Sequence, residues 1–238
     1  MRPRRLWGAI VWMGLLTLRV LLAGGVLSSV AAAARYLGPS ALAVSPDARI
    51  LYVACADARQ VAWVELPGGQ VARRVAVPAE PTGMVLAPGG TRLLVTCAAP
   101  RSQVAVLDAV SGDLIQTIPA GHTAISPVIH PDGKRLYVCN RFDNDVSVID
   151  LSAGEEVARL PAVREPIAAA LTPDGRALLV ANHLPNQRTN TLFSFDVRPV
   201  VTLVDTRTDE TSSIELPHGA SRRAAPQEMD VSTLRGSV

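Results

Sequence analysis

Aromatic residues are scarce: three Trp, three Tyr and three Phe make up 4% of the 238-residue chain, so core volume must come from Val, Leu, Ala and Ile. Cysteine is scarcer still. Three thiols cannot staple a chain of this size, which excludes a disulfide scaffold. Lys134 is the only lysine, and arginine carries nearly all the positive charge. The formal charge of +2 hides an uneven distribution: Arg2, Arg4, Arg5 and Arg19 lie in the first 34 residues, where no acid occurs. Downstream of them acids slightly outnumber bases. A nucleic-acid binder should keep a basic surplus in its folded part, so that class is set aside. A hydrophobic share of 48% with only 18% charged residues also excludes disorder for most of the chain, and the length suits one large domain or two small ones.

The basic head Arg2-Pro3-Arg4-Arg5 precedes an uncharged run from Leu6 to Leu18, and Ala31-Ala32-Ala33-Ala34 closes the segment. Basic head, apolar middle and small-residue site together read as an export signal helix cleaved after Ala34. Arg19 ends the run well short of the ~20 residues that span a bilayer, although Val20 to Val30 stays largely apolar. If uncleaved, the segment is a membrane anchor and the only contact with a membrane. Either way the folded part is expected in the periplasm or outside the cell.

Beyond residue 34 the sequence repeats. Pro46, Pro88, Pro131 and Pro173 stand 42, 43 and 42 residues apart, each opening a turn before an apolar run: Leu51-Tyr52-Val53, Leu93-Leu94-Val95, Leu136-Tyr137-Val138 and Leu178-Leu179-Val180. A second run follows each and closes on Glu65, Asp108, Asp150 or Asp205, spaced 43, 42 and 55 apart, so the fourth repeat carries an insertion. Four short apolar runs per repeat, separated by turn residues, are strands rather than helices. In the third repeat they are Ala124 to Val128, Arg135 to Asn140, Val146 to Asp150 and Glu155 to Leu160. Such a four-stranded unit, repeated without a helix between units, predicts an all-β chain of antiparallel β-propeller blades.

The Pro-Asp-Gly turn, the strand Leu136-Tyr137-Val138-Cys139-Asn140 and the strand Val146-Ser147-Val148-Ile149-Asp150 resemble the YVTN family of β-propeller repeats. The resemblance covers roughly residues 38–218. It departs at Cys55 and Cys97, which replace the signature Asn, and at Gly89, which replaces Asp. It implies a ring of about seven blades, within the ~4 to 8 that closed propellers use. Asn182-His183-Leu184-Pro185 opening a long insertion is similar to exported bacterial members, some followed by haem-bearing cytochrome segments. WD repeats fit less well, because no Trp-Asp dipeptide occurs.

The expected organisation is a signal or anchor over 1–34, blades over about 38–78, 79–120, 121–162 and 163–218, and an irregular tail over 219–238. Four blades read as an unclosed arc, the N-terminal part of a larger ring and a truncated product; the alternatives are a four-bladed ring and a half that pairs with another chain. Blade connectivity puts the first-to-second and third-to-fourth strand turns on one face. The second-to-third strand links and the links between blades fall on the other, which collects the irregular residues His122, Asn140, Arg141, Asp143, Asn182, His183 and His218, together with the insertion. Variable loops on a rigid scaffold are where binding residues concentrate, so these seven are the candidate ligand-binding face. His130 falls on the opposite face, as a structural residue.

No catalytic and no metal-binding set is assigned. Cys-x-x-Cys-His and His-Glu-x-x-His are absent, as are a phosphate loop and a serine-nucleophile elbow. Cys55, Cys97 and Cys139 are expected as small buried thiols, and no cofactor is assigned within the chain; haem would belong to a longer product or to a partner. The leading expectation is an exported, non-enzymatic propeller presenting one loop face to a protein or small ligand. The alternatives are the propeller portion of a periplasmic redox protein working with a cytochrome c or quinone-linked partner, and a lactonase-like hydrolase, since lactonases share this repeat style.

Overall fold

A computed structural model describes residues 37–184 and 199–216. Over these the chain is all β, with sixteen strands in four antiparallel sheets of four. Blade 1 holds β1 (Pro39–Val44), β2 (Ile50–Cys55), β3 (Gln60–Glu65) and β4 (Gln70–Ala76); blade 2 holds β5 (Glu80–Leu86), β6 (Arg92–Ala98), β7 (Gln103–Asp108) and β8 (Leu114–Pro119). Blade 3 holds β9 (Ala124–Ile129), β10 (Arg135–Asn140), β11 (Asp145–Asp150) and β12 (Glu155–Pro161); blade 4 holds β13 (Pro166–Leu171), β14 (Ala177–Asn182), β15 (Val200–Asp205) and β16 (Thr211–Glu215). Within each sheet the strands pair in sequence order. The expected signal helix, residues 185–198 of the insertion expected from Leu184 to Pro199, His218 and the tail lie outside the described residues.

The local sequence explains the turns. Pro131 fixes one φ and Gly133 takes the positive φ of 72° that closes the turn, with its amide donating to His130 O at 2.8 Å. Ala48 does the same in blade 1 at φ 55°. The preceding carboxylates lock these turns: Asp132 Oδ1 accepts from the Lys134 amide at 2.8 Å and Asp174 Oδ1 from the Arg176 amide at 3.1 Å. Between third and fourth strands, Asp108 Oδ1 accepts from the Val110 and Ser111 amides, and Asp150 Oδ1 from those of Ser152 and Ala153.

Middle strands are apolar on both sides because both sheet faces are covered. Leu136, Tyr137, Val138 and Cys139 are all 0% exposed, whereas the outermost strand β12 alternates exposed with half-buried residues and buries only Leu160. Three apolar clusters join neighbours: Tyr52 and Trp63 meet Leu93 and Val95, Leu94 and Val106 meet Leu136 and Val138, and Tyr137 and Val148 meet Leu178 and Val180. Among the described residues no cluster joins blade 4 to blade 1. A bulge recurs at the start of the first strand of blades 1, 2 and 4, where the register shifts after Pro39, Pro81 and Pro166. In blades 1 and 2 it frees a hydroxyl to bond the next blade: Ser40 Oγ donates to Pro81 O at 2.5 Å, and Thr82 Oγ1 to Ala124 O at 2.6 Å. At the outer end of the first interface, Trp63 Nε1 donates to Ala109 O at 2.8 Å while its ring meets Tyr52 edge to face at 5.6 Å.

Two consequences are measurable. Leu136→Ala, emptying a fully buried position between blades, should cost about 2–5 kcal/mol in urea unfolding; Val110→Ala, at a site 81% exposed, should stay within about 0.5 kcal/mol. Backbone amides hold Asp108 and Asp150 below the ordinary carboxylate value of 3.8, and hydroxyl and amide donors do the same for Asp47 and Asp174. Their folded values lie below their unfolded ones, so their contribution is present above about pH 4 and is lost as pH falls through the folded values. Thermal midpoints followed downward from about pH 5 should therefore drop, and Asp108→Asn combined with Asp150→Asn should flatten that slope.

Candidate functional site

The loops between second and third strands, and between blades, gather on one side, and blade 3 carries the densest polar set. The link into blade 3 is tied down at Gly121, whose amide donates to Asn140 Oδ1 at 3.0 Å. A Cβ at position 121 would lie 2.5 Å from Asn140 Cγ and 2.5 Å from Asp143 Oδ2, so only glycine fits. The next amide, of His122, donates to Asp143 Oδ2 at 2.7 Å. Below these, Asn140 Nδ2 donates to Asp145 Oδ1 at 2.6 Å and to Ser147 Oγ at 2.7 Å, and Ser147 Oγ donates to Glu156 Oε1 at 2.5 Å. Arg159 closes the network, with Nε 2.9 Å from Glu156 Oε1 and Nη1 3.3 Å from Asp143 Oδ2. Burial pushes the Asp145 carboxyl above its ordinary value, opposed by the Asn140 amide and the Arg159 charge.

Above this network a smaller group faces solvent. Phe142 is half exposed. The His122 ring meets it edge to face at 5.2 Å, and the Arg141 guanidinium lies 5.1 Å from its centroid. Arg141 Nε and Nη2 both donate to Glu165 Oε2, at 3.1 and 3.0 Å. Glu165 sits at φ 46°, and its carbonyl accepts from the His183 amide at 2.8 Å. It therefore links the blade 3 loop to the blade 4 loop.

The structure thus brings His122, Arg141 and Asp143 together and joins His183 to them through Glu165. Asn140 is fully buried and holds the loop from beneath. Asn182 is 7% exposed; its Nδ2 donates to Val200 O at 2.9 Å and to Thr202 Oγ1 at 3.0 Å, and its Oδ1 is buried without a hydrogen-bond partner among the described residues. Sequence reading missed Phe142, Glu165, Arg159 and Glu156. An exposed aromatic in an aromatic-poor chain was the available signal for Phe142; the carboxylates had none, since their partners lie on other strands or another blade.

The three thiols are free and buried, and burial raises all three, Cys139 to about 12, so none is poised as a nucleophile or metal ligand. Among the described residues no group of three or more His, Cys, Asp or Glu is placed to hold a metal ion. His130 Nε2 donates to Gly175 O at 3.1 Å, and its Nδ1 lies 2.9 Å from Asp132 Oδ1, as a brace between the turns of blades 3 and 4.

Four stacked four-stranded blades, with repetitive turns on one side and irregular polar loops on the other, define a β-propeller. Within that class the chain belongs to the cytochrome D1 heme domain family, whose model matches residues 93–224. Among solved structures it is similar to hydrazine synthase of Kuenenia stuttgartiensis, with 24% identity and a TM-score of 0.64 over 76% of this chain and 50% of that one. It is also similar to U3-55K, with 15% identity and a TM-score of 0.59 over 74% of this chain and 51% of that one. Both are likenesses of fold, and the chain spans about half the length of each. No curated protein matches.

The family's name raises the question of haem. An iron porphyrin needs an apolar slot with an axial ligand inside it. Three clefts lie on the turn side, and none is lined by His, Cys or Met: one at the edge of blade 4 by Arg176 and Leu203, one by Tyr52, Trp63 and Arg73, and one by Arg92, Gln116 and Asp132. His130 is engaged at both nitrogens, and His122 Nδ1 pairs with Thr123 Oγ1 at 2.9 Å. None of these three clefts offers a haem iron an axial ligand.

Asn140→Ala would strand the Gly121 amide and the Ser147 and Asp145 side chains together. It should cost at least about 1–3 kcal/mol in chemical unfolding, whereas Arg141→Ala and His183→Ala, at the solvent edge, should shift the midpoint by less than about 1 kcal/mol.

Proposed function

We propose that this chain is an exported propeller module that binds through the loop face of blades 3 and 4, with Phe142 and Arg141 as anchor and His122, Asp143 and His183 around it. The observation that carries the reading is the half-exposed Phe142, fixed between an imidazole edge and a guanidinium that Glu165 immobilises. Aromatic and arginine side chains held rigid by their own neighbours lose little entropy on contact, which is why they dominate binding hot spots. Asn140 and the Arg159 network beneath hold the loop in place. The occupant is a protein or a small ligand, and no catalytic step is assigned. The repeat signature supports a YVTN-type propeller, and the basic, apolar, alanine-rich first 34 residues support delivery across the cytoplasmic membrane.

Membership of the cytochrome D1 heme domain family favours a second reading in the same place: the occupant is a haem-bearing electron carrier, and this chain supplies the docking face. A photo-crosslinking residue at position 142, compared with one at position 110 on the turn side, tests both readings in an extract of the native host. Adducts should concentrate at 142 and fall several-fold on Arg141→Ala. Adducts equal at the two positions would overturn the loop-face assignment. Haem absorbance in the 142 adduct would select the electron carrier, and its absence would leave a haem-free occupant.

A further inference from the structure

The three junctions between blades present the same repeat positions on the turn side, and their residues differ in one respect. A row of side chains facing the successor crosses the second, third and fourth strands of each blade. It is Tyr52, Trp63 and Arg73 in blade 1, Leu94, Val106 and Gln116 in blade 2, and Tyr137, Val148 and Ala158 in blade 3. Two residues before the first of each row, on the same side of the strand, stand Ile50, Arg92 and Arg135. Opposite them in the successor is the residue that follows the Asp closing the third strand: Ala109, Leu151 and Thr206.

At two junctions side chains of the predecessor donate to this turn. Trp63 Nε1 and Tyr52 Oη donate to Ala109 O at 2.8 and 3.3 Å, and Arg73 Nη1 donates to Val110 O at 3.0 Å. Arg135 Nη1 donates to Thr206 O at 2.9 Å. The middle junction has no such bond among the described residues. Val106 carries no donor where Trp63 has one, and the Leu151 carbonyl accepts from no described side chain. Arg92, the counterpart of Arg135, is exposed, and its guanidinium has no hydrogen bond or ion pair among the described residues. A cleft of about 500 Å³ opens there, with Arg92 and Gln116 from blade 2, Asp132 from blade 3, and Leu94, Val106 and Leu151 as its apolar lining. Its size lies in the ~300–1,000 Å³ range of small-molecule sites. The Gln116 amide rests on the blade 3 turn, since a Cβ at Gly154 would lie 2.8 Å from its Oε1.

We propose that the cleft between blades 2 and 3 binds a small amino acid with an apolar side chain. Its carboxylate meets Arg92 and Gln116, its ammonium meets the Leu151 carbonyl and Asp132, and its side chain lies on Leu94 and Val106. An unpaired guanidinium offers a planar fork of donors that a carboxylate matches. The ammonium supplies the donor that Trp63 and Arg135 supply at the neighbouring junctions. Asp132 Oδ1 already accepts from the Lys134 amide and lies 2.9 Å from His130 Nδ1, which leaves Oδ2 for the ligand. A simple anion would leave the Leu151 carbonyl unanswered beside Asp132, and a simple cation would leave Arg92 unpaired. A zwitterion answers both, and the site lies on the side of the propeller opposite Phe142.

The test is isothermal titration calorimetry of the full chain with three probes: leucine, isocaproate, which lacks the amine, and isoamylamine, which lacks the carboxylate. Leucine should bind saturably with a dissociation constant of about millimolar order. Isocaproate should bind several-fold more weakly, and isoamylamine at least about tenfold more weakly. Arg92→Gln should weaken leucine at least about tenfold. Gln116→Arg should abolish binding, because a guanidinium over Gly154 would fill the cleft as Arg73 fills the space beside Gly112, where a Cβ would lie 3.0 Å from Arg73 Cδ. Both variants should keep the wild-type far-ultraviolet circular dichroism; if Gln116→Arg does not fold, Arg92→Gln, at an exposed position, decides alone. Four results would overturn the proposal. They are no saturable leucine binding up to about 50 mM, leucine affinity unchanged by Arg92→Gln, isoamylamine as tight as leucine, or isocaproate as tight as leucine. In the first case, loss of thermal stability on Arg92→Gln would assign Arg92 to joining the blades, as Arg135 does.

Discussion

Everything in this molecule depends on the apolar contact between one blade and the next. A four-stranded sheet cannot bury both of its faces alone, and the aliphatic side chains here are too small to cover them with loops. The leucine at the head of each second strand solves this by packing into its predecessor: Leu93 against Tyr52 and Trp63, Leu136 against Leu94 and Val106, Leu178 against Tyr137 and Val148. Because both faces of the middle strands are used, those strands are apolar without alternation. Polar groups are driven to the two sides, where turns and loops reach water.

The two sides then differ for a reason in the backbone. On the turn side the same device recurs, a carboxylate accepting from amides two or three residues on, as at Asp108, Asp132, Asp150 and Asp174. It satisfies the tight turn locally and leaves little to vary. On the loop side the chain must pass between strands and between blades, so amides such as those of Gly121 and His122 are satisfied by side chains of another strand, Asn140 and Asp143. That need supplies a polar network, and the network holds Phe142 and Arg141 in fixed positions at the surface. The three clefts described above lie on the turn side, while the described part of the loop side presents a projecting anchor.

Much of the fold was legible from periodicity. The third repeat was read as strands over Ala124 to Val128, Arg135 to Asn140, Val146 to Asp150 and Glu155 to Leu160, and the observed bounds differ by a residue at the ends. The bulges at Pro39, Pro81 and Pro166 were not read, since a bulge is a mismatch of register between two strands and leaves no mark on either. The candidate site was legible in part. His122, Arg141, Asp143 and His183 were identified as loop residues, and they lie in or beside one linked group. Asn140 was placed on the same face by its position at a strand end, but its amide turns inward because the Gly121 amide, Asp145 and Ser147 all need it. Glu165 and Arg159 escaped notice because a charge among many charges acquires meaning only from what lies opposite.

Composition and spacing by themselves determined that the chain is β, that its unit is a four-stranded blade and which residues lie at turns, because those properties follow from backbone preference and hydrophobic period within about ten neighbouring residues. Tertiary structure alone decided which groups answer one another across the blades: the Arg141 and Glu165 side chains, Ser40 Oγ with the Pro81 carbonyl, and Trp63 Nε1 with the Ala109 carbonyl. It also decided which equivalent apolar positions are covered and which stand open. Leu42 and Met84 occupy the same place in the repeat, and only the presence of a preceding blade separates a surface residue from a core one.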